Sequence, residues 1–242
     1  MRSFESIALG ISEVLLPQPD IDPAKWAVIA CDQFTSEPEY WARAAALVGD
    51  APSTLNLIYP EVYLHEPDPA VRIGRIRAAM SDYLRRGLFR PVEGLIYVER
   101  TTRRRTRRGI VACLDLEAYD FRKGATSPIR ATEGTILERI PPRVRIREGA
   151  PIELPHIMVL IDDPEDGVIG PLERVKGRFE RLYDFDLMMA AGHLAGYRVP
   201  GGEVEADILE ALTRLADPGH FVRRYGLPAG TPVLRADSQS PV

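Results

Sequence analysis

GLIYVERTTRRRTRRGIVACLDL, residues 94–116, decides how the chain is expected to fold. Two apolar runs of strand length, GLIYVE (94–99) and GIVACLDL (109–116), flank a polar connection of nine residues. Both are rich in β-branched and aromatic side chains, so the pattern predicts an antiparallel hairpin. Six of the nine connecting residues are arginine, the strongest charge run in the chain. No aromatic interleaves them and no recognition motif surrounds them, so a solvated hairpin tip is the expectation rather than a nucleic-acid contact. Arg100, Thr101 and Arg108 lie nearest the strands and are expected to point inward.

Outward from the hairpin, apolar periods of strand and helix length alternate. KWAVIAC (25–31) fits a buried strand. It runs into a polar loop, with Ser36 expected to cap a helix that contains Pro38 in its first turn and ends at Gly49. Val71, Ile73, Ile76, Met80 and Leu84 keep helical spacing across 69–86, and Gly87 ends the pattern. IMVLI (157–161) is expected to be another buried strand. GPLERVKGRFERLY (170–183) reads as an amphipathic helix, HLAGYRV (193–199) as a strand, and 203–216 as a helix packing Val204, Ile208, Leu212 and Leu215. No repeat, low-complexity tract or linker interrupts this order. The expected fold is α/β, a mixed sheet with flanking helices that includes one antiparallel hairpin, built as one unit over residues 1–242.

With 45% hydrophobic and 27% charged residues the chain is able to bury a real core. Its formal charge of −4 gives the molecule as a whole no electrostatic reason to bind nucleic acid. No apolar run approaches the roughly 20 residues that span a bilayer, and the first 17 residues lack the core of an export signal. Cys31 and Cys113, each within an apolar run, are expected to be small buried thiols, which fits a cytoplasmic protein without membrane partners.

The chemistry is expected between residues 128 and 163. Arg130-Ala131-Thr132-Glu133-Gly134-Thr135 sets a carboxylate beside hydroxyls and a guanidinium, and Arg139, Arg143, Arg145 and Arg147 follow. Planar guanidinium groups match a phosphate with two donors at once. Arg139 and Arg143 bracket Pro141-Pro142, which suits the opening of a helix. Glu133 is the expected general base, with Arg130, Thr135, Arg139, Arg143, Asp32 and Arg100 expected to bind substrate. That combination suits phosphoryl transfer more than proton abstraction from carbon. Asp162-Asp163-Pro164 is weighed as a turn opener ahead of a magnesium site, and His65, His156, His193 and His220 are too scattered to announce a metal centre. Glycine-rich phosphate loops, C-x-x-C, H-E-x-x-H and G-x-S-x-G are all missing.

The blocks CDQFTSEPEYW (31–41), IYVERTT, RATEGTILERIPPRVRIR and ELPHIMVLIDDP closely resemble the bacterial domain-of-unknown-function 1015 family along nearly the whole chain. Members are distantly similar to the ParB/sulfiredoxin-like fold, which includes nucleotide-binding proteins and free-serine kinases. The resemblance implies ATP- or ADP-dependent phosphorylation, with magnesium, of a small hydroxylated metabolite such as serine. Glu133 and Thr135 match the acid and hydroxyl of a His-Glu-x-Thr element, whereas Thr132 replaces its histidine. Family members continue beyond Thr231-Pro-Val-Leu-Arg-Ala236 into a glycine- and histidine-containing motif that this sequence does not carry. The resemblance therefore implies the first part of a longer member, with a separately encoded C-terminal half as a partner. The alternative is a non-catalytic ligand-sensing or protein-interaction domain.

Overall fold

The computed structural model describes residues 2–4, 7–11, 13–120, 129, 137–154 and 156–217. In chain order the elements are β1 (Arg2–Phe4), β2 (Leu9–Ile11), β3 (Glu13–Pro17), α1 (Pro23–Trp26), α2 (Pro38–Val48), α3 (Pro69–Arg85), β4 (Phe89–Glu93), β5 (Ile96–Thr101), β6 (Thr106–Val111), β7 (Cys113–Leu114), α4 (Ile140–Arg147), α5 (Ile169–Val175), β8 (Glu180–Leu187), β9 (Gly192–Arg198) and α6 (Glu203–Ala216). The α/β class and the hairpin stand as expected. The strands form sheets of order β1-β2-β7, β3-β4 and β6-β5-β9-β8. Every named pair is antiparallel. A parallel contact occurs only as the isolated bridge of Tyr119 to Ile129 among the described residues.

The hairpin is longer than the apolar runs alone suggest. β5 and β6 keep register from Ile96↔Val111 to Thr101↔Thr106, so the ladder climbs into the arginine run and only 102–105 form the turn. β5 pairs on its other edge with β9. Its central position explains why Leu95, Ile96 and Tyr97 are fully buried. Ile11, Leu95, Tyr97, Leu172, Val199 and Ile208 belong to one core, covered by α5 and α6. A second core gathers Trp26, Leu57, Tyr59, Ile76, Met80 and Tyr83 around α3. Burying a large apolar side chain contributes roughly 1.5–3 kcal/mol, which makes these two clusters the main stabilising centres.

Several expectations are corrected. Residues 25–31 do not form a strand: Asp22 caps α1 by accepting from Ala24 N–H at 2.9 Å, and Pro23 starts the helix. The backbone where α1 ends finds side-chain partners in place of a ladder. Thr54 Oγ1 donates to Trp26 C=O at 2.8 Å and accepts from Val28 N–H at 3.3 Å. The buried Ser53 hydroxyl donates to the same carbonyl at 3.2 Å. Glu37, not Ser36, occupies the cap position of α2, with no side-chain cap bond, and Gly49 closes that helix at φ +57°. In α3 the buried stripe is Ile73, Ile76, Met80 and Tyr83, while Val71 and Leu84 face water. Residues 170–183 split into α5, a single 3-10 turn at Lys176–Arg178, and β8. Here the Tyr183-Asp184-Phe185-Asp186 alternation, a period of two, overrides the helical spacing of Leu172, Val175 and Phe179. Residues 157–161 are neither strand nor buried: all five are exposed, Leu160 at 71%. Cys31 and Cys113 are only half-buried, and neither is in a disulfide. The strand at 193–199 and the helix at 203–216 form as expected.

Candidate functional site

The loop that follows α1 is held by aromatic contacts. Phe34 adopts φ +50°, a region that bulky L-residues rarely enter. Its ring stacks on Tyr40 with centroids 3.9 Å apart and planes 13° from parallel. Trp41 Nε1–H donates to the Phe34 carbonyl at 3.3 Å, and Trp41 itself is buried at the start of α2. The loop's first residue is tied down too, since Glu61 N–H donates to Cys31 C=O at 2.8 Å. Asp32 is thereby presented on a fixed backbone with its carboxylate exposed, accepting from Gln33 Nε2 at 3.3 Å.

Glu61 sits in the single 3-10 turn Glu61–Tyr63, with its side chain 4% exposed. A buried carboxylate requires a charge partner or strong donors. The partner arrives from 82 residues away: Arg143 Nη2 donates to Glu61 Oε1. Pro141 and Pro142 occupy the first turn of α4, where a missing N–H costs nothing. The other end of α4 is anchored by α3, whose Arg77 donates to the carbonyls of Arg145 and Ile146. A guanidinium at a helix C-terminus also meets the negative end of its dipole. The 59–66 turn is fixed by Arg72, which forks onto Glu66 at 2.9 and 2.7 Å and lies 3.9 Å over the Tyr63 ring.

Cys31, Asp32, Glu61 and Arg143 therefore share one locality. The Cys31 thiol records it: burial pushes its pKa up, Asp32 and Glu61 push the same way, and Arg143 opposes them. A thiol so placed stays protonated at neutral pH and is a poor nucleophile. The described groups amount to two carboxylates and one half-exposed guanidinium. One donor of that guanidinium is committed to Glu61, and the remaining ones are directed by the same anchor.

The expected site residues divide accordingly. Arg143 pairs with the Glu61 carboxylate, and Asp32 follows Cys31, whose carbonyl accepts from Glu61 N–H. Arg139 ends the single 3-10 turn Leu137–Arg139 that leads into α4, and its side chain lies outside what is described. Arg130, Glu133 and Thr135 lie outside the described residues. Arg100 keeps different company: it is half-buried on β5 and donates to the carbonyls of Thr101 at 3.1 Å and Ala191 at 2.5 Å. Asp163 behaves as a turn opener, accepting from the N–H groups of Gly167 at 3.0 Å and Val168 at 2.8 Å. Among the described residues no three His, Cys, Asp or Glu side chains form a group able to hold a metal ion. Nor is any described helix long and apolar enough to cross a membrane.

Three residue sets escaped the sequence reading. Glu61 lies between apolar residues in IYPEVY, a pattern that signals a buried acid once the turn is recognised. Glu99 accepts two 2.6 Å contacts from Lys176 and a 3.0 Å bond from the Tyr97 hydroxyl. Burial alone would raise its pKa, but the hydrogen bonds from Lys176 and Tyr97 outweigh it, and the carboxyl sits below its ordinary range. Burial and then Glu99 push the Tyr97 hydroxyl far up. His193 on β9 bonds to Asp186 at 2.9 Å and Asp184 at 2.7 Å, and the Asp186 contact leads in raising its pKa. The signal for that trio was the D-F-D spacing, visible only once 180–187 is read as a strand.

A family model described as "Protein of unknown function (DUF1015)" matches residues 15–220. No curated protein and no solved structure matches the chain.

Proposed function

We propose that this chain, which belongs to the DUF1015 family of proteins of unknown function, binds a phosphorylated small molecule or nucleotide where the 31–37 loop, Glu61 and α4 meet. One observation carries the reading: Arg143 is held by a buried carboxylate beside an aromatic-braced loop that displays Asp32. An arginine anchored this way presents its free donors in a set direction, which reduces the ordering cost when an anion binds. The described cluster has one acid too many to hold a phosphate alone. The reading therefore assigns Arg139 and Arg130 as the further clamps, Thr135 as a hydroxyl contact and Glu133 as the base.

On this reading the reaction is ATP- or ADP-dependent phosphorylation of a small hydroxylated metabolite such as serine, in the cytoplasm. Magnesium would enter with the nucleotide, since it commonly takes one or two carboxylates plus substrate phosphates, and Asp32 is the exposed carboxylate at hand. A second reading, a protein-interaction or ligand-sensing domain without catalysis, is supported by the exposed apolar residues 157–161.

Thermal-shift titration with ATP, ADP and phosphoserine, each with magnesium, tests the first reading; it predicts a rise in Tm with at least one of them. Silence from all three ends the kinase reading and leaves the second. Glu133→Gln then separates roles: turnover lost with binding kept identifies a base, and unchanged turnover removes Glu133 from the chemistry.

A further inference from the structure

Arg100 of β5 and Arg107 of β6 are direct cross-strand partners. Residues so paired project from one face with Cβ atoms about 4.5–5.5 Å apart, and like charges there weaken the sheet. Burial, and after it the charge of Arg107, hold Arg100 below the ordinary arginine range. Neither guanidinium has an acidic partner among the described residues: Arg100 donates only to two backbone carbonyls, and Arg107 Nη1 reaches only Met158 Sδ at 3.4 Å, a weak acceptor. The neighbouring pair in the ladder, Glu99↔Arg108, is built the opposite way. Opposite charges face each other there, and Lys176 and Glu173 complete the network.

This is a chain in which 35 acids outnumber 31 lysines and arginines, so acidic partners are not scarce. The arrangement around Arg100 is also constructed. Its two carbonyl acceptors fix the guanidinium plane without neutralising it. Gly192, at φ +109°, makes room for it, since a Cβ there would collide with Arg100 Nη1 and Thr101 C=O. Strand alternation puts the pair on the face opposite Tyr97 and Glu99.

We propose that Arg100 and Arg107 form an anion site, separate in its residues from the Arg143 cluster, that takes the phosphate group of a small phosphorylated molecule. A dianion between two guanidinium forks converts a like-charge repulsion into two bidentate pairs. A small ligand fits better than a nucleic-acid strand. Arg100 is half-buried and pinned, so it is reached by one phosphate group, and residues 100–108 offer no aromatic ring on which a base would stack.

The test is thermal shift of the full chain with inorganic phosphate and pyrophosphate at constant ionic strength. It compares wild type, Arg107→Gln and Arg104→Gln, the last changing an exposed residue of the hairpin turn. Wild type should gain Tm with pyrophosphate. Arg107→Gln should start at a higher Tm than wild type without anion, because the repulsion is gone, and should need at least about tenfold more pyrophosphate for the same gain. Arg104→Gln should respond as wild type does. An unresponsive wild type overturns the proposal, as does an Arg107→Gln baseline no higher than wild type. Equal loss in both variants reduces the effect to a diffuse field and overturns it too. Tighter binding of a short single-stranded oligonucleotide than of pyrophosphate, equally weakened in both variants, would reassign the surface to nucleic acid.

Discussion

GLIYVE (94–99) and IMVLI (157–161) look alike as sequence, and the structure treats them oppositely. Leu95, Ile96 and Tyr97 are fully buried, whereas each residue from Ile157 to Ile161 is exposed. Composition does not separate them; pairing does. β5 has β6 on one edge and β9 on the other, so its backbone groups are paired on both sides. Residues 157–161 join no ladder among the described residues. An apolar run reports a preference for burial, and only a neighbour of matching geometry turns that preference into a strand. The same contrast holds for charge: Glu99 is enclosed by Lys176, Tyr97 and Arg108, while among the described residues Arg107 on the adjoining strand reaches a thioether and no acid.

The largest effect that tests this contrast is in the core. Leu95→Ala should cost about 2–5 kcal/mol, read from urea unfolding, because a fully buried leucine leaves a cavity that its neighbours cannot fill. Next comes the charge network around Glu99: Glu99→Gln should cost about 1.5–3 kcal/mol near neutral pH, the usual worth of hydrogen bonds to a charged group. The sign follows from the lowered pKa of Glu99. Its stabilisation is complete above the ordinary carboxylate range and disappears as pH falls through the lowered value, so the variant should lose part of the acid-side slope in a plot of unfolding midpoint against pH.

His193 gives a smaller effect of opposite sign. Its raised pKa means that stabilisation by Asp186 and Asp184 is complete below the ordinary imidazole range and lost as pH rises through the raised value. His193→Gln should flatten that decline, with an amplitude below about 1 kcal/mol because the pair is open to water. The smallest change is expected at Leu160→Ser, within about 0.5 kcal/mol, as for other exposed positions. A loss there comparable to Leu95→Ala would mean that 157–161 is packed, and the contrast would collapse.

What the sequence disclosed was local. The hairpin, α3, α6 and the opening of α4 at Pro141-Pro142 were legible because period, caps and proline act within a few residues. β8 was missed because Phe179 and Leu182 prolong a helical spacing that the structure abandons after Val175. KWAVIAC was misjudged because the hydroxyls of Ser53 and Thr54, far along the chain, satisfy the backbone groups a strand would have needed. The site was legible by halves. Asp32 and Arg143 were visible as polar residues in suggestive settings, but Glu61, which pairs with Arg143, becomes significant only when 82 residues of chain bring the two together. Arg100 was rightly turned inward, yet its partners are backbone carbonyls and another arginine, a pairing that strand register alone decides.

The central claim, that Arg143 is an anion clamp oriented by Glu61, is tested most directly by calorimetric titration of ATP, ADP and phosphoserine into wild type and Arg143→Lys. Lysine keeps the charge beside Glu61 but loses the planar fork. The account predicts binding by wild type and a loss of about tenfold or more in the variant, with its unfolding midpoint little changed. Equal affinity in the two proteins would contradict it.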